Sequence, residues 1–214
     1  MRYLTIVAMA CGLHAQTWKL DSLTGLQAVH VKAEAATYRG ESGLRVVNAV
    51  TPEFAGSGLV FLPADFEDGA IQVDVAGLPR QGAMDAARGF IGVAFRIQED
   101  GRYECFYIRP TNGRADDQLR RNHSVQYVAE PDFPWNRLRQ ESPGVYESYT
   151  DLAPGEWMKL RIVVSGVHAQ LYVGRAAQPC LIVNDLKHGK THGKIALWVG
   201  PDTEGYFANL AVRK

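Results

Sequence analysis

Apolar residues along this chain recur at alternate positions more often than at helical spacing. Between Ala70 and Val75, Ile71, Val73 and Val75 alternate with Gln72 and Asp74, the period-2 pattern of a strand with one buried face. Phe90 to Ile97 and Tyr103 to Arg109 repeat the alternation on either side of Gln98-Glu99-Asp100-Gly101, and Asp-Gly between two such runs predicts an antiparallel hairpin. Further strands are predicted over Thr17–Leu23, Gln27–Lys32, Ala36–Tyr38, Leu44–Val47, Gly58–Pro63, Ser124–Val128, Met158–Ser165, Ala169–Val173, Leu181–Val183, Lys194–Val199 and Tyr206–Val212. Gly77 to Ala87 reads as a loop, and the best helical stretch, Pro134 to Glu141, makes about two turns. Many short strands with frequent turn residues predict an all-β chain: a two-sheet antiparallel β-sandwich, jelly roll in type.

Composition adds a compartment and removes some partners. At 214 residues the chain is long enough for one good core, and no break in composition divides it, so residues 16–214 are expected to form a single β-sandwich domain. Residues 1–15 read as a signal peptide, with Arg2, an apolar run from Tyr3 to Leu13 and small residues up to Ala15. That run is too short for a membrane span, and the expected location is periplasmic or extracellular; a buried first strand is the alternative. The formal net charge of zero gives no general attraction to nucleic acid or anionic membrane. Once the leader is removed, Cys105 and Cys180 remain, a pair that an oxidising compartment could join.

The placement of cations says more than their sum. No lysine occurs between Lys32 and Lys159, whereas twelve arginines do, seven of them from Arg102 to Arg139. A guanidinium holds vicinal oxygens or a carboxylate with paired donors, which an ammonium cannot do; pairing with Asp116, Asp117 and Glu141 on a solvated surface is the plainer reading. Alternation in the hairpin puts Ile91, Val93, Phe95 and Ile97 on the core side with Phe106 and Ile108. Gly92, Ala94, Arg96, Tyr103, Cys105, Tyr107 and Arg109 then face outward, and the small residues leave room above the sheet. The loop after Arg109 brings Asn112, Arg121, Asn122 and His123 back toward the same rim. Trp135 and Trp198 are candidate stacking platforms beside it.

Phe66-Glu67-Asp68-Gly69-Ala70-Ile71-Gln72-Val73-Asp74-Val75, Gly92-Val93-Ala94-Phe95-Arg96, Gly193-Lys194-Ile195-Ala196-Leu197-Trp198 and Tyr206-Phe207-Ala208-Asn209-Leu210 resemble the concanavalin A-like lectin/glucanase superfamily. Within it, the chain is most similar to bacterial exported 3-keto-disaccharide hydrolase-like domains. The resemblance covers Phe66 to the C-terminus and implies a carbohydrate ligand. It does not carry chemistry over, because the Glu-x-Asp-x-x-Glu carboxylates of laminarinase-type members are missing, while a 3-keto sugar would need only a base and an oxyanion donor. His123, Asp116, Asp117 and Arg109 suit those roles without matching a motif.

No P-loop, dinucleotide fingerprint, Gly-x-Ser-x-Gly or His-Glu-x-x-His occurs, and no cofactor is expected. His188 and His192 are too few for a metal site, and calcium leaves no readable pattern. The expectation is an exported domain binding a glycan on its concave face through Arg96, Tyr107, Arg109, Asn112, Arg121, Asn122, His123, Trp135 and Trp198. A hydrolase or lyase acting on a modified, 3-keto-type disaccharide is the first alternative, and a protein-interaction domain the second. Arg109→Ala is expected to abolish binding with little loss of stability. Oligomeric state is not legible.

Overall fold

The computed structural model describes residues 15–48, 51 and 56–214; apart from Ala15, the signal-peptide segment lies outside the described residues. In the first half of the chain the strands are β1 (Ala15–Trp18), β2 (Gln27–Val29), β3 (Lys32–Tyr38), β4 (Glu41–Asn48), β5 (Gly58–Phe66), β6 (Gly69–Pro79), β7 (Ile91–Ile97) and β8 (Tyr103–Ile108). After a 3₁₀ turn at Pro110–Asn112 come α1 (Gln118–Asn122), β9 (Val125–Glu130), α2 (Trp135–Glu141) and β10 (Glu147–Ser148). The chain finishes with β11 (Met158–Ser165), β12 (His168–Val173), β13 (Leu181–Val183), β14 (Gly193–Val199) and β15 (Thr203–Arg213).

These strands form two antiparallel sheets, one ordered β13-β12-β11-β6-β15-β4-β3 with β1 added to β15, the other β10-β9-β8-β7-β14-β5-β2. The jelly-roll sandwich expected from the alternation is the fold observed. Ile71, Val73 and Val75 of β6 are buried while Gln72 and Asp74 are not. They meet an apolar layer from the second sheet in which Phe95 stacks on Phe106 at 6.2 Å and Phe66 packs edge-on to Phe95 at 6.0 Å. Each such buried side chain contributes about 1.5–3 kcal/mol.

The hairpin forms in the expected register, with Ile91 opposite Ile108 and Gly92 opposite Tyr107. Alternation fails at its far end. Lys194 pairs with Ile97 and Ala196 with Ala94, so Phe95 and Arg96 together face Ile195 in a β-bulge. Arg96 takes a left-handed backbone conformation, φ 52°. A bulge resets the period-2 count, and two expected orientations are corrected by it. Ile97 turns outward to line a small depression with Tyr103 and Lys194. Arg96 turns into the end of the sandwich, where its side chain is fully buried.

There the guanidinium donates to Glu67 O at 2.9 Å, Gly189 O at 2.9 Å, Gly166 O at 2.8 Å and Asp68 Oδ1 at 3.0 Å. It joins the β5–β6, β11–β12 and β13–β14 connections. Cys105, buried on β8, and Cys180, beside β13 in the other sheet, are free thiols.

Candidate functional site

The second sheet presents to the outside a row of cross-strand neighbours: Trp198 of β14, Gly92 of β7, Tyr107 of β8 and Gln126 of β9. The space expected above Gly92 is occupied. Tyr107 and Trp198 stack across it with ring centroids 4.6 Å apart, and a Cβ at Gly92 would sit 2.1 Å from the Phe106 carbonyl oxygen. Phe90 meets Tyr107 edge-on at 6.2 Å. This aromatic patch floors a cleft of about 940 Å³, a volume suited to a small ligand or a few sugar units.

One wall is built on Arg109, only 5% exposed. Its guanidinium donates to His123 O at 3.0 Å, Tyr107 Oη at 2.8 Å and Gln126 Oε1 at 3.2 Å. Asn112 Nδ2 donates to the same His123 carbonyl at 3.1 Å, and Arg120 Nε donates to Asn112 Oδ1 at 3.1 Å. The 3₁₀ turn and α1 hold these groups in place. Asp117 caps α1 through Arg120 N, and Gly113 allows the loop to approach Leu152, where a Cβ would lie 2.4 Å from the backbone nitrogen. His123 Nε2 is 3.1 Å from Glu147 Oε1. Burial lowers the imidazole pKa, and the Glu147 carboxylate opposes that fall while Arg139 and Arg109 add to it.

The facing wall is the loop after β6. Asp202, buried next to β15, accepts from Arg80 Nε at 2.7 Å and from Met84 N at 3.1 Å, which places Met84, Ala87, Arg88 and Phe90 along the cleft. Helix α2 completes the rim. Leu138 anchors it, Arg139 reaches Glu147 Oε2 at 2.6 Å, and the same guanidinium lies 4.9 Å from the centroid of the Trp135 ring. Trp135 remains 46% exposed, so an indole face is available for stacking beside fixed donors.

Of the residues singled out by sequence, Tyr107, Arg109, Asn112, His123, Trp135 and Trp198 line this cleft together. Arg96 does not, because the bulge withdraws it. Arg121 and Asn122 are not among the lining residues either, because the segment is a helix and not an extended return. Its spacing turns Leu119, Arg120 and His123 to the cleft, while Arg121 stacks on Tyr149 at 5.2 Å and Asn122 bonds Gln118 at 2.8 Å. His188 and His192 face separate carboxylates, Asp132 at 3.3 Å and Asp65 at 3.2 Å.

Arg88, Arg120, Arg139 and Glu130 line the cleft and were missed. Glu130 had a readable signal, since continuing the alternation of Gln126 and Val128 by one step places it on the same face. Its carboxyl makes no hydrogen bond or ion pair among the described residues, and burial raises its pKa. Arg88 sits in a loop, where no period exists to assign a face.

The fold is the concanavalin A-like, two-sheet antiparallel β-sandwich. Among solved structures that share it, carbohydrate-binding module CBM66 from Bacillus subtilis is 14% identical with a TM-score of 0.58, over 88% of this chain and 95% of that one. A galectin-like protein of unknown function from Bacillus subtilis is 11% identical with a TM-score of 0.60, over 92% and 94%. The β-glucanase of Bacillus licheniformis is 10% identical with a TM-score of 0.57, over 94% and 98%. No protein-family profile and no curated protein sequence matches the chain.

Proposed function

We propose that this chain is an exported carbohydrate-binding domain that holds a glycan in the cleft on the outer, concave face of its second sheet. The observation that carries the reading is an exposed Trp135 beside a wall of pre-fixed donors, over a floor of stacked Tyr107 and Trp198. Sugar rings offer an apolar face to an indole and vicinal hydroxyls to planar donors, and both complements are present within one cleft. The likeness to carbohydrate-binding and glucanase structures supports the same direction.

Isothermal titration against a panel of soluble oligosaccharides tests it, with Trp135→Ala as the informative variant. Binding that weakens about tenfold or more, corresponding to one lost stacking contact, with an unchanged melting temperature is the expected result. Affinity for some glycan that is indifferent to Trp135 would reject the site. Arg109→Ala is the poorer choice, because burial and three side-chain bonds make Arg109 part of the scaffold as well as the wall.

A second reading is favoured by Glu130. An unpartnered carboxyl with a raised pKa, in a cleft beside an aromatic rim, suits a general acid, and the chain would then be a hydrolase or lyase, including one acting on 3-keto-type disaccharides. His123, whose Nε2 already meets Glu147, is the accompanying base. Product release from the same glycan panel, lost in Glu130→Gln while binding persists, would establish this reading; absence of turnover leaves binding alone.

A further inference from the structure

We propose that the cleft's ligand carries an anionic group, a carboxylate or sulfate ester on a sugar, and that Arg88, Arg109 and Arg120 receive it. The inference rests on the carbohydrate reading and narrows it to acidic glycans.

Two of the arginines at or beside this cleft are neutralised. Arg139 is paired with Glu147 and Arg80 with Asp202, and farther off Arg96, Arg114 and Arg137 each contact a carboxylate. Arg88, Arg109 and Arg120 have no carboxylate within ion-pair distance among the described residues. Arg109 is bonded to neutral acceptors only, as is Arg120 to Asn112 Oδ1 and Thr111 Oγ1, and Arg88 to the Asp85 and Ala87 carbonyls. Asp117 also lines the cleft and accepts from Arg120 N as the cap of α1.

The three groups are held near one another by the backbone. Thr111 N donates to Arg88 O at 3.3 Å, Thr111 and Asn112 hold Arg120, and Asn112 shares the His123 carbonyl with Arg109. Burial and the charges of Arg120 and Arg109 disfavour the Arg88 cation, and the Asp85 carboxylate offsets them only in part. Crowded like charges without an ion-paired partner are unfavourable, and an anion relieves that repulsion when it enters. Donors remain for it: Arg88 Nε and Nη2 and Arg120 Nη1 have no partner among the described residues. A neutral sugar would leave the repulsion in place.

The test uses matched pairs of ligands: oligogalacturonate against its methyl ester, and a sulfated galactan oligosaccharide against its desulfated form. Each is titrated calorimetrically into the wild-type chain, Arg120→Gln and Arg88→Gln. The acidic member of at least one pair is expected to bind about tenfold or more tightly than its neutral partner. That preference should shrink as salt rises and vanish in both variants, and the pair that shows it identifies carboxylate or sulfate. Equal binding of acidic and neutral members overturns the anionic site while leaving glycan binding in place, as does a preference that survives both substitutions. If no sugar of either pair binds, melting temperatures in sodium glucuronate and sodium sulfate against sodium chloride decide the matter. A rise confined to the wild type retains the anion site and removes the glycan reading, and no rise overturns both.

Discussion

Arg96→Met removes the guanidinium that closes the end of the sandwich while keeping much of its volume. Three backbone carbonyls and Asp68 lose their donor. Asp68 is 40% exposed and can recover water, so the main loss falls on the carbonyls of Glu67, Gly166 and Gly189. Hydrogen bonds from a charged donor are worth about 1.5–3 kcal/mol each but are not additive where partial rehydration is possible. Loss of one member of a buried charged network costs about 3–5 kcal/mol, and that is the destabilisation expected here. Equilibrium urea unfolding with an unchanged slope measures it, and for a chain of this length the melting temperature should fall by roughly 6–20 °C. Ligand affinity of the folded variant should match wild type, because Arg96 does not reach the cleft. A loss below about 1 kcal/mol would show that water replaces the guanidinium and would refute the keystone role.

The Glu130 carboxyl has its pKa raised in the folded chain, so folding is favoured below the ordinary carboxylate pKa, and that contribution is lost as pH rises through it toward the folded value. Glu130→Gln should therefore equal wild type in stability near pH 4 and exceed it near pH 7 (both on the order of the reference range), as read by urea midpoints across pH; a variant less stable at neutral pH would contradict the unpartnered carboxylate. His123 has the opposite sign, since its pKa is lowered: stability is lost as pH falls below the ordinary histidine value, and His123→Gln should flatten that limb. Cys105 is buried and its thiol pKa is raised well above normal, while burial pushes Cys180 up to about 11, so a thiol reagent should label neither quickly in the native state and both after unfolding.

Much of this architecture could be read from alternation, because β6 keeps strict period 2 in the first sheet and β8 and β9 keep it where the cleft floor is built. That is why Tyr107, Trp198 and Arg109 could be placed together from spacing alone. What escaped were the places where a local device breaks the period. The bulge at Phe95–Arg96 has no glycine to announce it, and Arg96 itself takes the left-handed conformation. The five-residue helix α1 is too short to show a repeat, so Arg121 looked as eligible as Arg120. Glu147 pairs with Arg139 and His123 from a two-residue strand, a contact that only the assembled sheet brings about.

The bulge also constrains how the chain can vary. Losing one of the two bulged residues from β7 would erase the extra position and leave Ile97 on its observed face, at the cost of either the Phe95 ring in the core or the Arg96 guanidinium in the end cap. Gaining one would displace the tip of the hairpin by a full inversion of faces. Related chains should therefore keep the spacing between Ala94 and Gln98 while tolerating changes of length at the Asp100-Gly101 turn, and point substitutions at Arg96 should be rarer than at most cleft arginines. Length, more than identity, is the inherited quantity in this strand.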